Sequence, residues 1–387
     1  MEKVRFGIVG CGNMGTGHAN NFKNGKIING VLTAVCDINP KKLDHMREMF
    51  GDSIKYYNTA TEMFKSGEVD CVQICTPHYS HPSLAIEALD NDLNVIVEKP
   101  AGVYTKQVAE MIERSKKSDK ILGIMFNQRT NPAFKKMREM ILNGDIGNIK
   151  RTNWIITDWY RTQEYYDSGA WRATWEGEGG GVLYNQAPHQ LDLFQWIVGM
   201  MPCRVRAFCH FGKWHNIEVE DDVTAYVEYP NGATGVFITT TADAPGTNRF
   251  EVTGTKGTLI FENNKLYYKK LLIDEREFCF STYTGFNKPE CAPTVEIELD
   301  KDNPQHVGIC NNVANAILGL EKLYAPASDG ICGVELANAM HMSTWLNETV
   351  SLPIDGDKFY ALLKEKIASS KVKKTDSADS KVEAQNV

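Results

Sequence analysis

The chain has 387 residues, 42% of them hydrophobic and 24% charged, with a formal net charge of −7. That length allows two substantial cores, in a composition ordinary for a globular protein. The acidic balance argues against a nucleic-acid surface, and no apolar run approaches the roughly 18 residues of a membrane span.

Met1-Glu2-Lys3 leads straight into apolar sequence, so no signal peptide is expected. None of the ten cysteines forms a C-x-x-C pair, and Cys36, Cys71, Cys75 and Cys310 lie in apolar segments. Cys203, Cys209, His210 and His215 are the one cluster to weigh as metal ligands, but they alternate as strand residues do. No metal is expected, and reduced thiols in a cytoplasmic protein are the better account.

In chain order, an apolar strand over 4–9 enters Gly10-Cys11-Gly12-Asn13-Met14-Gly15, and Ala19 and Phe22 continue as a helix. In this pattern Gly10 permits a tight turn, Gly12 admits a pyrophosphate to the backbone, and Gly15 lets helix and strand pack. The helix N-terminus then offers free N–H groups to phosphates. A lone G-x-G-x-x-G is weak evidence, because glycine turns are common. Here a second apolar run, 31–36, ends at Asp37, about 22 residues beyond Gly15, where a ribose-binding acid belongs. A carboxylate there repels a 2′-phosphate and favours NAD over NADP, although Lys41 and Lys42 leave a phosphate partner open. Asp37 also reads as a loop acid before a helix over 40–50 that Pro40 opens.

The alternation continues with strand 70–75, helix 82–89, strand 93–97, helix 106–115 and strand 121–126. That rhythm predicts a parallel sheet covered on both faces. Thr76-Pro77-His78-Tyr79-Ser80-His81 follows one buried strand, so Thr76 and Pro77 fall beside the nicotinamide half of a trough. His81 reads as a helix cap or a structural residue. Glu98-Lys99-Pro100 follows the next strand, at the edge where doubly wound sheets bind ligands. Pro100 biases Lys99 toward extended backbone. The lysine is then placed to bond the nicotinamide ribose and a substrate hydroxyl, or to serve as an ordinary surface residue.

Near Asn148 the character changes. Strands over 150–159, 205–211, 222–229, 233–241, 250–253, 258–261 and 265–268, with Asn231-Gly232 as a hairpin turn, predict an open, mostly antiparallel sheet. Trp159-Tyr160-Arg161 and Trp171-Arg172 precede a glycine run. Aromatic faces suit a pyranose and arginine supplies a planar fork, although Trp159, Trp171 and Trp175 read equally as packing residues. In the segment 179–192, three glycines allow close backbone approach. Asn185, His189 and Asp192 then share a helix face if the helix reaches back that far. The plainer reading makes Asn185 an N-cap, Pro188 an early helical residue and His189 a buried histidine. Helices return over 305–319 and 333–350, and a last one, 357–367, is expected to pack back on the first domain. The expected division is 1–126 for the dinucleotide, 127–367 for substrate and oligomerisation, and 368–387 as a loose tail.

Together G-C-G-N-M-G, the Asp37 strand end, T-P-H-Y-S-H, E-K-P and N-Q-A-P-H-Q-L-D resemble the Gfo/Idh/MocA (glucose–fructose oxidoreductase / inositol dehydrogenase) family, from Val4 to about Leu363. The resemblance implies an α/β Rossmann domain, a doubly wound parallel sheet, followed by an α+β domain with an open antiparallel sheet. It implies NAD held by Gly10, Gly12, Asn13, Met14, Asp37, Thr76, Pro77, His81, Glu98, Lys99 and Asn127. Lys99 and His189 match the family's catalytic residues, and Asn185, Asp192, Arg172, Trp171, Tyr160 and Arg161 are expected around the substrate. Inositol dehydrogenase relatives carry aspartate four residues before the histidine. Asn185 departs from that pattern and is similar to members acting on hexose derivatives and glycosides.

The implied reaction is oxidation of a secondary hydroxyl, favouring C3 of a glucose-type sugar or glycoside. Inositol oxidation, NAD-assisted glycoside cleavage and a non-catalytic sugar-sensing regulator are the alternatives. His189, with an ordinary pKa of about 6.5, takes the hydroxyl proton while Lys99 steadies the alkoxide. Lysine as the base is the other arrangement. Family relatives pair their open sheets, so a homodimer or homotetramer is expected, with no nucleic-acid or membrane partner.

Overall fold

The structure, a computed structural model, describes residues 3–370, so the tail expected over 368–387 lies outside the described residues from 371 onward. The first sheet contains β1 (Val4–Val9), β2 (Gly30–Cys36), β3 (Lys55–Tyr57), β4 (Cys71–Ile74), β5 (Asn94–Val97) and β6 (Leu122–Ile124). Between them run α1 (Asn13–Lys23), α2 (Pro40–Phe50), α3 (Ala60–Phe64), α4 (His81–Asp90) and α5 (Thr105–Lys116). β4 and β5 are buried at every position, Gln73 and Asn94 included, as central parallel strands are. The order β3-β2-β1-β4-β5-β6 reverses between β1 and β4. That reversal opens a crevice beyond the strands' carboxyl ends.

The remaining chain runs α6 (Pro132–Leu142), β7 (Ile149–Ile156), α7 (Gln163–Asp167), α8 (Pro188–Trp196), β8 (Arg204–Phe211), β9 (Glu220–Glu228), β10 (Thr234–Thr240) and β11 (Asn248–Gly254). It continues through β12 (Gly257–Glu262), β13 (Lys265–Lys270), α9 (Glu275–Ser281), β14 (Val295–Ile297), α10 (Gln305–Ile317), α11 (Gly330–Leu346), β15 (Val350–Ser351) and α12 (Gly356–Ala368). The second sheet has the order β14-β13-β12-β11-β7-β10-β9-β8-β15. Its pairs are antiparallel except β7 with β10.

Period-two alternation sends Trp154, Phe237 and Phe250 inward against Phe134 of α6, Phe194 of α8 and Leu336 of α11. The opposite face carries Phe208, Thr224, Ile238 and Ile155 in one cross-strand row, with Tyr226 beside Val236 in the next. Phe208 is 52% and Tyr226 42% exposed, so nothing in the described chain covers this apolar row.

The closing helices return to the first domain. α10 contributes Ile309, Cys310 and Val313 to a cluster with Phe6, Cys71 and Ile96, and so closes one face of the first sheet. The last helix lies over the seam. Its Phe359 and Leu363 join the second core, while Tyr360 stacks on Tyr104 at 4.5 Å and Asp357 pairs with Lys106 at 2.7 Å. Among the described residues no helix is long and apolar enough to cross a membrane.

Candidate active site

The three glycines of the first loop perform different tasks. Gly10 has φ +95°, and a Cβ there would stand 2.7 Å from the Cys75 carbonyl oxygen. A Cβ on Gly15 would fall 1.9 Å from the Gly10 carbonyl oxygen, so helix and strand touch there. In front of Gly12 the nearest atom is Lys42 Nζ at 3.9 Å, which leaves room for a pyrophosphate. Gly12→Ala is therefore expected to weaken NADH binding about tenfold or more while moving the melting temperature by no more than about 2 °C. Gly15→Ala should lower both. Fluorescence titration beside thermal melts separates the two, and unaltered NADH affinity in Gly12→Ala would overturn the assignment.

Asp37 is buried at the end of β2. Its carboxylate accepts the Cys11 N–H at 2.7 Å and the Asn39 N–H at 2.8 Å, with Lys42 Nζ 3.8 Å away. The carboxylate is thereby fixed beside the glycine loop, with lone pairs left for ribose hydroxyls. Asn13 and Met14 lie exposed at the start of α1. Pro77 is exposed, and the Thr76 hydroxyl accepts a bond from Ser80 at 2.7 Å. Asn127 donates to Gln305 at 2.7 Å, while its Oδ1 is buried without a partner. An orphaned acceptor, an open glycine and an anchored acid together fit NAD.

Two residues expected on the cofactor are engaged by the protein itself. His81 is 1% exposed, with its ring nitrogens 2.8 Å from the Pro100 carbonyl and 2.7 Å from the Thr76 carbonyl. It ties together the loops carrying Thr76 and Lys99. Glu98 is buried against His18 at 2.7 Å. Burial opposes charge on His18, but hydrogen bonds to Cys310 and Glu98 prevail and hold it up at about 10. Glu98 therefore anchors α1 beneath the loop. The candidate ligands of the second sheet are likewise engaged, His210 with Asp222 and His215 with Asp221.

Lys99 leaves β5 half-buried and donates to the Asn185 backbone carbonyl at 2.8 Å. Burial lowers its pKa most, with Glu98 and Glu178 opposing and Arg172 and Arg161 reinforcing. α8 begins at Pro188 with Ala187 as N-cap, so Asn185 lies in the turn before it and caps nothing. The turn is held from below: buried Glu220 accepts the Gly181 and Leu183 N–H groups at 2.9 and 3.0 Å. A Cβ on Gly181 would meet the Glu220 carbonyl at 2.0 Å, so this glycine serves packing. His189, in the first turn of α8, is 7% exposed, with Nδ1 buried and unpartnered. Burial, then the charges of Lys99 and His306, push its pKa well below the usual 6.5. It stands as a neutral imidazole.

Asp192, expected at the substrate, is turned away. Its carboxylate receives Arg129 through two bonds of 2.8 and 2.6 Å, with both side chains 1% exposed. Asn185 and Asp192 would share a face only on a continuous helix, and this one starts at residue 188. Arg172 donates to the Tyr165 hydroxyl at 2.7 Å and lies over the Tyr165 and Trp171 rings. Arg161 lies over the Trp159 and Tyr165 rings, with its guanidinium on the Tyr160 carbonyl at 3.0 Å. Tyr160 is 50% exposed, and Trp171 meets His78 edge-on at 5.7 Å. Trp175 is a core residue, packed on His341 and Trp345.

Sequence reasoning missed Tyr165, whose hydroxyl donates to Asn185 Oδ1 at 2.9 Å, and Glu178, whose carboxylate receives the Asn185 amide. It also missed Arg129. An acid set between glycines, Gly177-Glu178-Gly179, was the available signal for Glu178.

A doubly wound sheet with an acid at the end of its second strand faces a second domain whose histidine lies near the first domain's lysine. These features define a two-domain nicotinamide-dependent dehydrogenase. Residues 4–126 match the family described as "Oxidoreductase family, NAD-binding Rossmann fold", and residues 134–260 match "GFO/IDH/MocA C-terminal domain". The chain belongs to the Gfo/Idh/MocA oxidoreductase family. Myo-inositol 2-dehydrogenase of Thermotoga maritima is 30% identical over 290 residues, covering 73% of this chain and 82% of that protein. D-glucoside 3-dehydrogenase of Escherichia coli is 26% identical over 249 residues, covering 59% and 68%. The WlbA dehydrogenase of Bordetella pertussis, solved with NADH and UDP-GlcNAcA, matches at TM-score 0.76 and 26% identity over 92% of this chain and all of that one. The protein is an NAD-binding oxidoreductase of sugars or polyols.

Proposed function

We propose that the protein reversibly oxidises a secondary hydroxyl, C3 of a glucose-type sugar or glycoside, with NAD. The bond from Lys99 to the Asn185 carbonyl carries this reading, because it draws the end of β5 against the turn that leads to His189. When bound, NAD supplies the acceptor for the carbinol hydrogen and its two electrons. Lys99 has three N–H donors and gives one to Asn185, leaving two for the substrate oxygen. As that oxygen gains negative charge, a fixed ammonium in a dry site stabilises it. Neutral His189 is the form able to take the hydroxyl proton.

Asn185 in place of aspartate supports sugars or glycosides, as does similarity to D-glucoside 3-dehydrogenase. Similarity to myo-inositol 2-dehydrogenase makes inositol the second reading. A panel of hexoses, glycosides and inositols, read by NADH absorbance and by NMR of the ketone, tests this. Methyl glucoside should yield a 3-ketone. NADH from inositols alone would install the second reading, and aglycone release without net NADH would indicate eliminative or hydrolytic cleavage.

We assign residues 1–126 to the cofactor and 127–367 to the substrate and to pairing of subunits through the row of Phe208, Ile238 and Ile155. A monomeric mass by sedimentation would refute that pairing. Ten free cysteines fit a reducing cytoplasm, a placement that periplasmic fractionation of the native protein would overturn.

A further inference from the structure

Glu178 is a buried acid for which the reaction above gives no task. It is 2% exposed and precedes Gly179, whose φ is +83° and where a Cβ would stand 2.2 Å from Val103. Its Oε2 accepts the Ala173 N–H at 2.6 Å, and its Oε1 receives Nδ2 of Asn185. Its own backbone carbonyl lies 3.2 Å from His78 Nδ1. On the far side of the same amide, Tyr165 donates to Asn185 Oδ1 at 2.9 Å, and Lys99 holds the Asn185 backbone carbonyl at 2.8 Å. Glu178 is thus one residue, Asn185, removed from the lysine, within a hydrogen-bonded chain.

We propose that Glu178 is a positioning residue of this site: it fixes the Asn185 amide and supplies the negative charge that residue 185 itself lacks beside Lys99. The inference rests on Lys99 and His189 being the reacting pair. A neutral amide at 185 cannot balance the ammonium, but its N–H groups can be oriented by a carboxylate behind it, and a buried charge acts strongly at short range.

The groups around Lys99 define what Glu178 must counter. Glu98 is the other nearby anion, committed to His18. Arg161 and Arg172 are cations that lower the Lys99 pKa, and His78, His81, His189 and His306 are the facing imidazoles. Glu178 is one of two carboxylates that raise the Lys99 pKa against burial and the two arginines, so without it Lys99 loses its proton at lower pH. Burial, with Glu220 adding to it, leaves the Glu178 pKa above the ordinary glutamate value, and Asn185, the Ala173 N–H and Arg172 pull against that rise.

Glu178→Gln keeps shape and removes charge. The expected result is a kcat fall of about 10- to 100-fold with KM for NAD within about twofold, and an alkaline limb of the kcat profile moved down by about one pH unit. Lys99 can also be read without turnover, by the pH dependence of its reductive methylation in the protein free of cofactor. That midpoint should fall in the same direction. Asn185→Ala, which severs the connection, should also lower kcat, and Glu178→Gln should add little further loss in the double variant. An unmoved Lys99 midpoint, or a loss of kcat that tracks only a fall in melting temperature, overturns the proposal. The methylation result holds or fails whether or not any sugar is oxidised, so it is distinguishable from failure of the proposed reaction.

Discussion

His189→Ala is expected to lower kcat by about 10²- to 10⁴-fold, the range that a positioned proton acceptor contributes, with NADH affinity changed by less than about threefold. The imidazole lies in the first turn of α8, away from the glycine loop that anchors the cofactor, so the two readouts separate. Lys99→Ala should reach a similar loss, because the ammonium faces developing alkoxide. The pH profile gives a second test. His189 is active when neutral, and burial, with help from Lys99 and His306, holds its pKa well below 6.5. The accepting form therefore survives acidification past the usual midpoint, and kcat should stay level from neutrality to below pH 6.5. Lys99 acts when charged, and burial lowers its pKa from 10.5. The alkaline limb should accordingly lie below that value. An acid limb at or above 6.5, or unchanged kcat in His189→Ala, would remove the imidazole from the reaction.

How much of this arrangement was readable beforehand depended on whether the signal was local. Gly10, Gly12 and Gly15 follow from backbone geometry within six residues, and Asp37 from a strand of fixed length after them. The long strands of the second sheet were visible because inward and outward residues alternate strictly, as Phe208, Cys209 and His210 do. β3 has three residues and β15 two, too short for any period to register. α6 escaped notice despite Asn131 as its cap and Pro132 at its start, two signals that mark a helix.

At the site, residue types are legible in the sequence and their partners are not. Asp192 and His189 look equivalent on a helical projection. Their fates are set by Arg129, some sixty residues earlier, which no spacing rule reveals. Glu98 and His81 neighbour residues that line the crevice, and sequence proximity alone assigns them to the cofactor. Glu98 meets His18 at 2.7 Å, and the His81 ring nitrogens lie 2.8 and 2.7 Å from the Pro100 and Thr76 carbonyls, contacts that brace the loops.

The largest stability effect is expected at that hidden pair. Arg129 stands in the turn Asn127–Thr130, two residues beyond Asn127, and Asp192 stands three residues beyond His189. The guanidinium donates twice to Asp192 and once, at 2.6 Å, to Asp329, and its flat face rests on Phe126 and Trp196. Burial, with Asp329 adding to it, leaves the Asp192 carboxyl above its ordinary value although Arg129 pulls it down, while the two carboxylates hold the guanidinium firmly charged. Asp192→Asn leaves a buried cation with Asp329, a third exposed, as its remaining counter-ion. Breaking a buried pair in this way costs about 3–5 kcal/mol, read as a fall of several degrees in the melting temperature. The pair fastens the turn carrying Asn127 to the helix carrying His189. NADH should therefore raise the melting temperature of Asp192→Asn less than that of the wild type. Replacing both partners with apolar residues, as in Arg129→Met with Asp192→Leu, removes the stranded charge and should recover most of the lost stability. If Asp192→Asn melts with the wild type, the ion pair does not hold the two segments together.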